Sequence, residues 1–268
     1  LLLARRLMER TRVYRLLQGY RNIPAANMDL VAEFLVRISQ LVTDFPEIVE
    51  LDLNPVVISD GCPVAIDARI VVEPSEVAAP RHLIISPYPN QYESDWMLKD
   101  GTPVLIRPMK PEDEPLVVDL LDNCSQQTIY FRYFHAVKNW PHEALIRFTQ
   151  NDYDREIGIV AIGLPPGPTV MMGVGRLVMI PERDTAEFAV IVADPWQGKG
   201  LGPKLIEKVI GIAKENGVRT LLGDVLAENH PMLGLVKKMG FNVLRPDEGT
   251  CEVELDLAPG TRADAADA

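Results

Sequence analysis

AEFAVIVADPWQGKGLGPKLIEKVIGIAKENG, residues 186–217 of a 268-residue chain, runs from an apolar segment through a glycine turn into a periodic one. Residues 186–192 read as a buried strand interrupted by a single charge, Glu187. Residues 197–202 place Gly198, Gly200 and Gly202 at alternate positions, a turn rich in free backbone N–H groups. Beyond it Leu201, Leu205, Val209 and Ala213 recur every four positions, and Ile206, Ile210 and Ile212 widen the stripe of an amphipathic helix. Pro203 is tolerated in the first turn, where its missing N–H costs nothing, and Gly217 supplies a stop. A helix that opens on glycines lets a ligand approach the main chain. Its unsatisfied amides and the positive end of its dipole favour an anion such as a pyrophosphate.

Two familiar phosphate motifs do not fit. A P-loop needs Ser or Thr after its lysine, and Lys199 is followed by Gly200; the dinucleotide fingerprint G-x-G-x-x-G is not matched by G-x-G-x-G. The spacing of Gln197, Gly200 and Gly202 instead resembles the acyl-CoA signature Q/R-x-x-G-x-G/A of the GNAT N-acyltransferase superfamily. The resemblance implies acetyl-CoA as co-substrate, held by Gln197, Gly198, Lys199, Gly200, Leu201 and Gly202 at its pyrophosphate and by Val190, Ile191 and Val192 along its arm. The alternative is a glycine-bearing strand-to-helix turn without a ligand.

Composition narrows the classes. A hydrophobic content of 47% supports a real core, and a net charge of −11 with no basic run excludes a nucleic-acid partner. Cys62, Cys124 and Cys251 are widely spaced, as expected of reduced thiols in the cytoplasm. His82, His135, His142 and His230 lack metal-ligand spacing, and no apolar run approaches 18 residues, so no membrane partner is expected. The chain starts Leu-Leu-Leu-Ala-Arg-Arg inside a helical pattern, which reads as a piece of a longer protein.

In chain order, residues 1–75 form a first unit. Helical patterns over 2–17 and 27–44, the second capped by Asn27, lead to the strands VELDLNPVVI and PVAIDARIVV around a turn at 59–61. QGYRNIPAANMD, ELDLNP and AIDARI resemble the C-terminal part of the ATP-grasp domain of ADP-forming acyl-CoA synthetases. In that family the positions matched by Asp52, Asn54 and Asp67 serve magnesium and nucleotide; a solvated sheet face is the plainer reading of the same alternation. Because this piece lacks the nucleotide-covering half, neither synthetase activity nor useful ATP affinity is expected of it. Residues 76–92, with Pro80, Pro87 and Pro89, read as a linker.

A second unit spans 93–259, followed by a mobile tail at 260–268. Its pattern is a hairpin around Gly101, helices beginning near Pro111, Ser125 and His142, and a hairpin across LPPGP. The opening stretch follows, then strand RTLLGDVL, a helix ending at Gly240, and closing strands NVLR and CEVELDL. This order is similar to that of the GNAT fold, an α/β (α+β) architecture whose mixed, mostly antiparallel sheet is flanked by helices. The spacing of Asn229, Gly240 and Phe241 resembles the family's second cofactor motif. More narrowly, IRPMKPEDE, YFRYF, RFTQNDYDRE and AEFAVIV resemble the GNAT domain of bacterial Pat-type protein lysine acetyltransferases, in which a synthetase-like region precedes it.

The chemistry such an enzyme needs can be located. A lysine amine titrating near 10.4 must be neutral to attack, a deficit of roughly 4 to 5 kcal/mol at pH 7. Glu187, alone in its apolar strand, is placed to act as base, and partial burial is expected to adjust it; the Pat-type resemblance implies the same role. The alternative is a strand-edge pair with Arg176 or Arg183. The backbone N–H groups of Ile191 to Ala193 could donate to the thioester carbonyl, and that of Val192 is the expected donor. Asn229 either contacts the arm of the cofactor or caps its helix. Many GNAT enzymes carry a tyrosine seven residues after this asparagine to protonate the thiolate. Here Val236 stands there, so no general acid is assigned. No metal is needed for acetyl transfer. The expected acceptor is a protein with a reactive lysine, an acyl-CoA synthetase among the candidates, with a small amine, or a non-catalytic acyl-CoA sensor, as the competing readings.

Overall fold

The computed structural model describes residues 1–77, 79, 82–137, 140–167, 169–180, 184–244 and 249–258. Arg183 and the tail at 260–268 lie outside them. The chain divides into two compact units, one ending at Pro87 and the other beginning at Tyr88.

In the first unit the expected single helix over 2–17 is two, α1 (Leu2–Glu9) and α2 (Tyr14–Leu17). The Thr11 hydroxyl donates to the Met8 carbonyl, and β-branched Thr11 and Val13 propagate a helix poorly. Helix α3 (Met28–Asp44) is capped as expected, the Asn27 side chain accepting from the N–H groups of Asp29 and Leu30. Each of the two expected strands is split: β1 (Ile48–Leu53) pairs with β4 (Ala68–Val72), while β2 (Val56–Ser59) and β3 (Cys62–Ala65) form a separate two-stranded sheet. The break falls at Pro55, which has no N–H for a ladder. The junction is held by Asn54 N–H to the Asp67 carbonyl and Ile66 N–H to that of Pro55.

The second unit is an eight-stranded sheet in the order β11-β12-β10-β9-β8-β7-β6-β5. Its strands are β5 (Ser94–Met97), β6 (Pro103–Pro108), β7 (Glu156–Gly163), β8 (Met171–Ile180), β9 (Thr185–Val192), β10 (Thr220–Leu226), β11 (Asn242–Val243) and β12 (Thr250–Asp256). Every pairing is antiparallel except β9 with β10. Helices α4 (Glu114–Asp122), α5 (Gln126–Tyr133) and α6 (His142–Thr149) cover one face, where Val117, Leu120, Ile129 and Leu145 pack with Val160, Val174 and Ile191 of the sheet. Helices α7 (Leu201–Glu215) and α8 (His230–Lys238) cover the other. There the predicted stripe of Leu201, Leu205, Ile206, Val209, Ile212 and Ala213 is buried, and Ile210 is partly so. Gly173 and Gly175 let α7 approach, since a Cβ on either would stand 3.1 Å from Leu205 or Val209. Buried Arg107 and Asp113 form a two-pronged ion pair at 2.7 and 2.6 Å that ties β6 to the entrance of α4.

Candidate active site

The parallel pair β9–β10 holds for only three residues, Thr185, Ala186 and Glu187 against Thr220, Leu221 and Leu222. Beyond Glu187 the strands part, and Phe188 lies across the opening against Gly223, where a Cβ would come within 2.6 Å of its ring. The gap feeds a cleft of about 860 Å³ lined by α5, β9, the glycine turn, β10 and the start of α8, ample for a cofactor-sized ligand. Ala193 N–H is spent on the Met172 carbonyl of β8 at 3.0 Å. Because successive amides of a strand point to opposite edges, the Val192 N–H faces the gap. Its carbonyl does too, accepting from the Gln197 side chain at 3.0 Å.

The glycine turn has the geometry of an anion cradle. Gly198 and Gly200 have φ of +73° and +92°, a region that favours glycine. The N–H groups of Gly198, Lys199, Gly200, Leu201 and Gly202 have no acceptor among the described residues. A Cβ on Gly198 would meet nothing within 4 Å, so the turn is open to a ligand. Sequence reasoning missed Lys99, whose side chain lies over Gly200 and whose N–H donates to the Lys199 carbonyl. Its only signal was a basic residue at a hairpin turn. These residues fit the pyrophosphate of acetyl-CoA: open amides at a helix start, with a lysine beside them.

Of the expected cofactor residues, Val190, Ile191, Val192, Gln197, Gly198, Gly200, Gly202 and Asn229 line the cleft. Two side chains are placed elsewhere. Leu201 is buried in the core under α7. Lys199 pairs with Asp100 at 3.0 Å and lies over the Trp196 ring, so only its main chain faces the turn. Gln197 is a brace for the turn: besides Val192 it reaches Thr128 and Asp194, and the Asp194 carboxylate also accepts from Ser125 N–H and the Thr128 hydroxyl. Burial works against ionisation of Asp194, but the hydrogen bonds from Thr128 and Ser125 outweigh it and hold its pKa below the usual value. Asn229 caps α8, accepting from Met232 N–H at 3.2 Å, while its side chain also lines the cleft. Val236 is fully buried and cannot face a leaving group.

Glu187 stands where the strands part, opposite Val178 of β8 and Leu222 of β10, and lines the cleft. One expectation needs correcting, and one alternative falls away for Arg176. Glu187 is exposed where partial burial was expected, because the parting strands open its face to the cleft. Nor does it pair with Arg176, whose guanidinium is bound to Glu156 and to the Phe148 carbonyl. Asp224 and Glu252, cross-strand neighbours on β10 and β12, line the same cleft with no salt bridge to a described residue. The sequence pattern of their strands does not single them out, since alternating charge also marks a solvated face.

In the first unit Asp52 is exposed opposite Arg69, and the Asp67 carboxylate accepts from the N–H of Ala68 at 3.0 Å. No group of three His, Cys, Asp or Glu side chains able to hold a metal occurs among the described residues.

Comparison with known proteins places this geometry. Residues 124–241 match the acetyltransferase (GNAT) family model and residues 1–72 the ATP-grasp domain model. Acetyltransferase PA5475 of Pseudomonas aeruginosa is 32% identical over 154 residues, 57% of this chain and 83% of that protein. This chain belongs to the GNAT acetyltransferase family. The GNAT domain of S. lividans PAT superposes with a TM-score of 0.59 at 26% identity, covering 64% of this chain and all of that domain. The first unit is similar to acetate–CoA ligase (ADP-forming) I of Archaeoglobus fulgidus, 36% identical over 69 residues, 26% of this chain and 10% of the ligase. This GNAT chain thus carries an ATP-grasp fragment ahead of its acetyltransferase unit, and acetyl-CoA is its family's co-substrate. No described helix is long and apolar enough to cross a membrane.

Proposed function

We propose that the chain transfers an acetyl group from acetyl-CoA to the ε-amine of a lysine in a cytoplasmic protein, an acyl-CoA synthetase being the candidate acceptor. The observation that carries this reading is Glu187, whose carboxylate stands at the vertex where β9 and β10 part, opening into the cleft that the glycine turn closes at its other end. The likeness to S. lividans PAT and the ligase-like first unit support the choice of acceptor.

In this reading the turn amides and Lys99 hold the pyrophosphate and the gap-facing edge of β9 holds the arm. The thioester carbonyl then lies by Val192 N–H, which stabilises the charge that develops on its oxygen. An incoming ammonium is drawn by the acidic lining of Asp224, Glu252 and Glu187. Glu187 takes its proton, directly or through water. The neutral amine attacks the carbonyl carbon and the C–N bond forms; as the adduct collapses its nitrogen gives up its second proton to water, the C–S bond breaks, and the thiolate, whose thiol has a pKa near 8.5, takes a proton from solvent.

Acetyl-CoA turnover with protein acceptors tests this. Glu187→Gln should lower kcat by about 10²- to 10⁴-fold while leaving acetyl-CoA affinity within about twofold, because the turn is untouched. A variant as fast as wild type removes Glu187 from the reaction.

A further inference from the structure

The cleft contains a cation that the acetyl-transfer reading does not use. Arg132, at the end of α5, and Arg176, on β8, both line the cleft on the α4–α6 side, and both also line the small internal cavity behind it. Arg176 has its carboxylate, Glu156, and the Phe148 carbonyl as well. Arg132 has neither a carboxylate nor a hydrogen-bond acceptor among the described residues. Its one contact of this kind is the face of the Tyr133 ring, 4.9 Å from the guanidinium carbon. Glu187 lines the same cleft but pairs with neither arginine.

Two guanidinium groups therefore line one side of the cleft, and Glu156, the carboxylate bound there, is paired with Arg176. Burial draws the pKa of both Arg132 and Arg176 below the ordinary arginine value, and in Arg176 the positive charge of Arg132 adds to the effect. A charge withdrawn from water and left without a counter-ion is costly, and a planar guanidinium is suited to a two-pronged carboxylate. The location decides what that carboxylate belongs to. Arg176 pairs with Ala189, two residues along β9 from Glu187, and Arg176, Ala189 and Glu187 share the face of the sheet that looks toward α5. The Arg132 guanidinium, without an acceptor among the described residues, is thus on the side where the amine must reach its base.

The geometry points to Arg132 as a specificity-determining residue that binds a carboxylate of the acceptor, close to the amine that is acetylated. This rests on the acetyl-transfer reading above and adds the acceptor's chemistry. The carboxylate is either the side chain of an acidic residue beside a target lysine or the α-carboxylate of a free amino acid acetylated at its α-amine. Both place a negative group within a few bonds of the nucleophile.

Two measurements on the full chain test it. The first is the KM for lysine peptides with glutamate beside the lysine, for matched glutamine peptides, and for free amino acids against their amides. Wild type should favour the carboxylate-bearing member of a pair by roughly tenfold, the size expected of one charge-assisted pair. Arg132→Gln should bring the two KM values together, and Arg132→Lys should keep part of the preference. Preference among peptides assigns the acidic flank, and preference among free amino acids assigns the α-carboxylate.

The second measurement does not depend on turnover: the Arg132 side-chain N–H resonance in ¹⁵N-arginine-labelled protein, assigned by its absence in Arg132→Gln, followed as sodium acetate is added against matched sodium chloride. A shift specific to acetate supports the subsite. If it occurs while no protein lysine is acetylated, the subsite stands and the protein-acceptor reading falls. No acetate response together with no acceptor preference overturns the subsite, whether or not protein lysines are acetylated. An Arg132 dependence seen only when succinyl-CoA replaces acetyl-CoA also overturns it, since the carboxylate then belongs to the acyl chain.

Discussion

Lys199 illustrates how a residue inside a motif can serve the motif indirectly. Its ammonium is held 3.0 Å from the Asp100 carboxylate and 4.5 Å from the Trp196 ring, so it fastens the glycine turn to the β5–β6 hairpin. The Thr102 hydroxyl and then Lys199 hold the Asp100 carboxyl down at about 2. A folded-state pKa below the unfolded value, near 3.9, means that the contribution of this link is complete above that value. It is lost only as the pH falls toward about 2. Carboxyl ¹³C titration of Asp100 should show a midpoint at about 2, well below the ordinary aspartate value of about 3.9. Glu187 and Arg132 mark the limits of reading single residues. A charge in an apolar strand can be seen in the sequence, which is how Glu187 stands out. Arg132 is one arginine in an aromatic-rich helix, YFRYF, and only the packing of α5 against the sheet shows that it has no counter-ion among the described residues.

At the scale of elements, period and turn chemistry disclosed most of the second unit, because each strand and helix there is bounded by its own glycine, proline or cap. The Gly101 hairpin, the Asn229 cap and the α7 stripe are examples. The first unit was less legible. Its strands alternate without interruption through Pro55, and only the missing N–H shows where one ladder ends and another starts. Nor could the sequence show that β9 and β10 stay together for three residues and then separate, since that depends on a pairing between distant segments. The glycines around that opening differ in what they tolerate. Gly223→Ala should cost about 1–3 kcal/mol in urea denaturation, because its Cβ would press on Phe188, itself stacked on Phe241. Gly211→Ala, inside α7 with nothing within 4 Å, should stabilise by about 0.5–1 kcal/mol. Equal effects at the two positions would contradict the packing described at the vertex.

For the molecule as a whole, the cleft belongs to one unit. Every residue that lines it lies between Lys99 and Glu252, beyond the division at Pro87 and Tyr88. The solved GNAT domain of S. lividans PAT is matched over its full length by this region, so the architecture occurs as a separate domain there. Residues 88–258 produced alone should therefore bind acetyl-CoA with the affinity of the full chain, within about threefold by calorimetry. A larger loss would give the first unit a part in cofactor binding. That unit leaves many large apolar side chains exposed, among them Leu3, Leu7, Leu16, Ile23, Ile66 and Ile70.

The parting of β9 from β10 also sets a rhythm for deuterium uptake. Along β9 and at Ala193 just past its end, the amides bonded to β8 should be protected in the free protein, while those turned toward the gap, Val192 and Val190, trade their protons freely. Acetyl-CoA, lying in that gap, would slow only the second set. Residue-resolved exchange with and without it should thus show every other amide of one strand responding, the imprint of a ligand that takes the place of the missing neighbour.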